Sequence, residues 1–197
     1  MVVMSTAKKT LLPFEGPIAV ADLDRLPDDS HRWELLDGVL VVSPRPSTVH
    51  QTVAARLLVL IQNHCPPELQ PVSEPAVQLN DTTEFDPDLV VVPLNEIGGA
   101  KFHQPPRLIV EIRSPSTAII DLNRKKAAYE RFGVPSYWIV VPDREKPELI
   151  VFELEERGYA EAAHVTGGEA FTATRPFQVT VTPSQLVAGL PPPRDNG

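Results

Sequence analysis

The 197-residue chain has little of several things, and each shortage excludes a class of protein. It has one cysteine, Cys65, so no intramolecular disulfide framework exists, which suits a reducing compartment. It has no long apolar run: the stretches near Val53–Ile61 and Leu89–Val92 are too short or too interrupted to span a bilayer. The first thirteen residues lack an apolar core of signal-peptide length. The expectation is a soluble, cytoplasmic protein without a membrane partner. Positive charge is also scarce: 18 Lys and Arg against 26 Asp and Glu give a net charge of −8. A protein that grips nucleic acid by bulk electrostatics is therefore disfavoured.

Proline, by contrast, is abundant, at 22 residues. The prolines fall mainly between apolar runs, as in Pro44-Arg45-Pro46, Pro66-Pro67 and Pro105-Pro106. They punctuate loops and do not form a disordered tract. Hydrophobic residues make up 42% of a chain whose length suits one domain with a real core. Residues 1–17 are expected to be poorly ordered, 18–190 to form the domain, and 191–197 to be a flexible tail.

The patterning within that domain alternates between helix and strand. A short helix is expected over 18–26, then a hairpin over 32–42 turning at Asp37-Gly38. Val49, Val53, Ala54, Leu57, Leu58 and Ile61 have helical spacing, with Ser47 or Thr48 as cap. Runs rich in β-branched residues follow at 72–79, 88–92 and 108–112. A second helix begins between Ser116 and Asp121 and ends at Phe132, where Gly133 supplies the stop. Strands at 137–141, 149–154, 159–165 and 177–181 precede a last short helix through Val187. The fold class implied is α/β or α+β, a mixed central sheet flanked by helices.

Charges in apolar strands carry the chemistry. Asp86-Pro87-Asp88 stands directly before the apolar strand that begins at Leu89. Asp-Pro is a good turn opener, but two carboxylates beside a buried strand must be solvated, paired or bound to a cation. Glu111 lies inside Leu108–Ile112, where period-two alternation puts it on one face with Ile109 and Arg113. Either an arginine pairs with it or it is a metal ligand, since Mg²⁺ favours one or two carboxylates plus water. Asp121, Lys125 and Tyr129 recur every four residues and share a helix face. Basic residues also cluster locally: segment 101–131 holds seven against three acidic ones, a charge of +4 that leaves −12 elsewhere.

The order Pro-Asp, then Glu in the next strand, then a lysine, resembles the PD-(D/E)XK nuclease core. More closely, a set of motifs resembles the Uma-type family of inferred restriction endonucleases, formerly a domain of unknown function. These are Trp33-Glu34-Leu35-Leu36-Asp37-Gly38, Ser43-Pro44 with His50, Pro87-Asp88-Leu89, Glu111-Ile112-Arg113-Ser114-Pro115-Ser116-Thr117, Asp121 through Lys125 to Tyr129, and Gly133-Val134-Pro135-Ser136-Tyr137-Trp138. The resemblance spans roughly residues 20–185 and rests on the ordered set, since each piece alone is weak. It departs at Ser136 and Val141, where the family usually has Glu and Asp.

The resemblance implies a restriction-endonuclease-like core and Mg²⁺- or Mn²⁺-dependent hydrolysis of DNA phosphodiester bonds. It places Asp88 and Glu111 as cation ligands with Glu34 as an additional acid, and Lys125 as the catalytic lysine. The standard motif has its lysine two residues after the Glu, where this chain has Arg113, so the lysine function moves to the following helix. Arg113 then either contacts a phosphate or neutralises Glu111. Arg124 and Lys126 are further candidates for phosphate contact, and His50, Asp121 and Tyr129 for auxiliary roles. A homodimer would concentrate the basic faces of an acidic protein. The competing reading is a catalytically inactive nuclease-fold module that binds nucleic acid or protein.

Overall fold

The computed structural model describes residues 18–26, 32–43, 45–113 and 119–191. The expected tail at 1–17, all but the first residue of that at 191–197, and the Ser114–Thr117 motif lie outside the described residues.

The first helix is shorter than expected, α1 at Val20–Leu23. Strands β1 (Arg32–Leu36) and β2 (Val39–Ser43) form the hairpin. Asp37 and Gly38 take φ of 49° and 77° at its turn, the left-handed pair that a two-residue I′ connection requires. Helix α2 spans Thr48–His64, with Ser47 as N-cap accepting the His50 N–H at 3.3 Å.

The run at 72–79, read as one strand, is two: β3 (Leu69–Ser73) and β4 (Ala76–Asn80), which enter different sheets. Glu74 at φ 50° followed by Pro75 breaks the chain there, because proline cannot donate to a continuing ladder. Then come β5 (Thr83–Phe85), β6 (Leu89–Pro93), β7 (Lys101–Phe102) and β8 (Leu108–Ile112). Helix α3 (Ile119–Phe132) leads to β9 (Ser136–Val141), β10 (Glu148–Glu155) and β11 (Gly158–Thr166). A small hairpin of β12 (Phe171–Ala173) and β13 (Val179–Val181) precedes α4 (Pro183–Val187).

The central sheet has six strands in the order β11-β10-β9-β8-β6-β3. It is mixed, since β8 and β9 pair in parallel while its other neighbours run antiparallel. A second sheet has the order β2-β1-β5-β4-β7. The class is α+β. Among the described residues no helix is long and apolar enough to cross a membrane.

Alternation along the strands assigns each sheet face to a core. Leu108, Val110 and Ile112 join Val53, Leu57 and Ile61 of α2, with α4 and the β12–β13 hairpin completing that side. Val90, Val92, Ile109, Tyr137 and Phe152 face the other way, onto Ala128 and Tyr129 of α3 and onto Val77 and Phe85 of the second sheet. Glu111 shares the side of Ile109. Its carboxylate is therefore carried between the central sheet, α3 and the smaller sheet.

Candidate active site

Glu34, Glu84, Asp88 and Glu111 are all buried, at 2–6% exposure. Carboxylates this dry are stable only with partners. Asp88 sits where the β6–β8 ladder has just ended, since Leu89 opposite Val110 is its last pair at that end. The Asp88 carboxylate takes over the unpaired strand donor: the Ile112 N–H donates to Oδ2 at 2.6 Å. His50, from the first turn of α2, places Nε2 3.2 Å from the same oxygen. An ionised carboxylate only accepts, so Nε2 carries the proton. The Arg32 guanidinium donates from Nη1 to Asp88 Oδ1 at 3.3 Å and holds Nε 3.9 Å from Asp86. Burial would raise the Asp88 carboxyl, but the His50 hydrogen bond and the His50 and Arg32 charges hold it below its ordinary value. Burial likewise opposes the His50 imidazolium, and the Asp88 contact outweighs it, raising that group.

Glu111 answers to α3. The Tyr129 hydroxyl donates to Oε1 at 2.8 Å, and Lys125 Nζ donates to the same oxygen at 3.1 Å. Lys125 also donates to Glu34 Oε1 at 2.8 Å, which in turn accepts the Asp86 N–H at 3.0 Å. Residues 125 and 129 are one helical turn apart, which is why both reach one carboxylate. Burial would lower the Lys125 ammonium, yet Glu111 and Glu34 together hold it well above its usual value. Glu111 itself is raised, because burial outweighs the relief from Lys125.

The expected residues therefore gather as follows. Asp88 and His50 form one group and Glu111, Glu34, Lys125 and Tyr129 another, and the two are joined through Arg32 and Asp86, whose N–H reaches Glu34. Arg113 does not neutralise Glu111: it pairs its own N–H with the Val140 carbonyl, and its half-buried side chain makes no ion pair with that carboxylate. Arg124 is exposed on α3. The Lys126 ammonium lies over the Phe152 ring, 3.6 Å from the centroid. The Asp121 side chain lies outside the described residues.

Two features escaped the sequence. Arg32 bridges Asp86 and Asp88, and Lys101 on β7 pairs with Glu84 at 2.9 Å. The signal for Arg32 was its place two residues before Glu34 in a strand, on the same face. A cleft of about 480 Å³ opens beside the network, with Arg32, Arg45, Glu84, Asp86 and Lys101 in its lining.

The donor set suits a hard divalent cation. Five carboxylates (Glu34, Glu84, Asp86, Asp88, Glu111) meet three cationic side chains (Arg32, Lys101, Lys125), a formal excess of two negative charges before His50 is counted. Among the described residues, however, no three acidic, histidine or cysteine side chains form a ready-made cation cage. Their oxygens are held instead by Arg32, His50 and Lys125.

A mixed sheet with Pro-Asp before one strand, Glu in its neighbour and a lysine reaching in from the next helix has the layout of a restriction-endonuclease-like fold. The family model described as "Uma2: Putative restriction endonuclease" matches residues 20–185, and the chain belongs to that family. The fold is also similar to a solved structure from Anabaena variabilis ATCC 29413, described as "a putative nuclease belonging to DUF820". The TM-score is 0.71 at 17% identity, covering 87% of this chain and 98% of that one. No curated protein is significantly similar to the chain.

Proposed function

We propose that the protein is a Mg²⁺- or Mn²⁺-dependent DNA endonuclease whose site is built on Asp88, Glu111, Glu34 and Lys125. The observation that carries this reading is the seating of Lys125, bonded at once to Glu34 and Glu111 beside Asp88. A divalent cation held by Asp88 and Glu111 would supply a polarised phosphoryl oxygen and a water of lowered pKa. The protein's own groups do the rest. His50 and the Ile112 N–H aim the Asp88 carboxylate, and Tyr129 aims Glu111. Lys125, released from one of its two carboxylates, presents an ammonium to the attacking water or to the charge that builds on the phosphate. Glu34 keeps that ammonium protonated and in place.

The test is nicking of supercoiled plasmid in Mg²⁺ and in Mn²⁺. Wild type is expected to nick, and Asp88→Asn and Lys125→Met to lose at least about a hundredfold in rate, the scale of one catalytic group. Equal nicking by all three proteins would sink the assignment. One observation favours a second reading, the non-catalytic module: both Asp88 oxygens and Glu111 Oε1 already have protein partners. That reading predicts no nicking and no calorimetric heat with either cation.

A further inference from the structure

Arg32 joins two places that the rest of the site keeps apart. It lines the open cleft, and it touches Asp88 in the buried network. Its grip on the protein is loose. The distances are 3.3 Å to Asp88 and 3.9 Å to Asp86, against 2.9 Å for Lys101 on Glu84 and 2.8 Å for Lys125 on Glu34. Its Nη2 is buried and has no hydrogen-bond partner among the described residues. A guanidinium presents five donors in a planar fork that matches two oxygens of one phosphate. Leaving such a donor unsatisfied in a buried position is costly. The fork is therefore open to oxygens that the described residues do not provide.

Of the other cations at the cleft, Arg45 is exposed and makes no ion pair with Asp86 or Asp88, so it stands outside the carboxylates that Arg32 touches. Lys101 is already paired with Glu84 and lies 3.8 Å from Asp24, and Lys125 is not in the cleft lining. Lys126 is engaged with Phe152. When a divalent cation claims Asp88, Arg32 loses its nearer counter-charge while its side chain remains at the cleft. We propose that Arg32 binds the phosphate at the cleavage point of the DNA strand, entering from the cleft; this rests on the nuclease reading above. Arg32 then has two partners in turn, Asp88 before loading and substrate phosphate after it.

The experiment measures binding, not cleavage. Labelled duplex and single-stranded DNA are titrated by fluorescence anisotropy in Ca²⁺, a looser occupant of carboxylate sites than Mg²⁺, over a series of salt concentrations. Calcium affinity is measured in parallel by calorimetry. Arg32→Met is expected to weaken DNA binding about tenfold and to reduce the salt slope by about one phosphate contact, with Ca²⁺ affinity kept or improved. Wild-type DNA affinity and slope in Arg32→Met would overturn the proposal. So would parallel losses of Ca²⁺ and DNA binding, because Arg32 would then act only through the carboxylates. Should Arg32→Met fail to fold, Arg32→Lys decides, since it keeps the charge opposite Asp86 and Asp88. Several-fold weaker DNA binding with the slope retained supports the fork, and unchanged affinity removes it. A wild-type protein that binds no DNA in Ca²⁺ overturns the nuclease reading itself, a result distinct from a change confined to the variants.

Discussion

Asp86 and Asp88 stand two residues apart and titrate in opposite senses, because different things surround them. Asp88 is held low by His50 and Arg32. Asp86 is pushed up to about 6 by burial, against the pull of Arg32. A folded pKa above the unfolded value means that the native state holds the proton more tightly. Stability from Asp86 is thus present below about pH 4 and declines as the pH rises toward 6. The corresponding decline for Asp88 lies on the other side, as pH falls below its unfolded value. Two units would be worth roughly 3 kcal/mol, but the side chain is 29% exposed, so about 1–2 kcal/mol is the realistic scale. Asp86→Asn is expected to flatten the pH dependence of unfolding between about pH 4 and 6 by that amount. Urea midpoints across that window in cation-free buffer measure it, and identical slopes for both proteins would refute it. The same neighbourhood explains what sequence alone reveals at this scale. Asp88, Glu111 and Lys125 stand out because each charge interrupts or borders an apolar run. Arg32 opens its strand, and its partner Asp88 lies 56 residues away, so its local pattern shows a face shared with Glu34 and not the pairing with Asp88.

Among the elements, α3 matters most, because it carries Lys125 and Tyr129 into the site and must not rotate. Its last turn is tied to the β10–β11 hairpin. Glu130 Oε2 accepts the Tyr159 N–H at 2.7 Å, and the Tyr159 hydroxyl donates to the Val134 carbonyl at 2.8 Å. This tie depends on Gly158, whose φ is +106° and where a Cβ would stand 2.9 Å from the Glu130 carboxylate. Gly158→Ala therefore strains the backbone and displaces Glu130 from its donor, at a combined cost of about 1–3 kcal/mol. Hydrogen exchange at the Tyr159 amide should quicken with it, and protection equal to wild type would show that the tie is unnecessary. Elements of this length and periodicity were readable in advance: α2, α3, β6, β8, β9 and β10 all follow from apolar spacing. The shorter ones were not. β5 and β7 have three and two residues, too few for any alternation to register. The single strand expected at 72–79 overlooked how Glu74-Pro75 passes the chain from one sheet to another.

For the whole molecule, the second sheet matters because it contributes two of the five carboxylates around the site. Glu34 and Glu84 belong to the five-stranded sheet, Asp88 and Glu111 to the six-stranded side, Lys125 to α3 and His50 to α2. Lys125 joins the two sheets by pairing with a carboxylate from each. A divalent cation drawing on Asp88, Glu111 and Glu34 would join them again, with two charges against the formal excess of two. Binding to the folded state alone stabilises by about 2.7 kcal/mol at a hundred times Kd. For a domain of this size that raises Tm by roughly 5–10 °C. Mg²⁺ and Mn²⁺ are therefore expected to raise the Tm of the wild type in a saturable manner. Asp88→Asn should abolish the rise, and Glu34→Gln should reduce it, although Glu34 belongs to the other sheet. A rise that survives in Asp88→Asn would place the cation on the acidic surface of a −8 protein, and a full rise in Glu34→Gln would confine it to the central sheet.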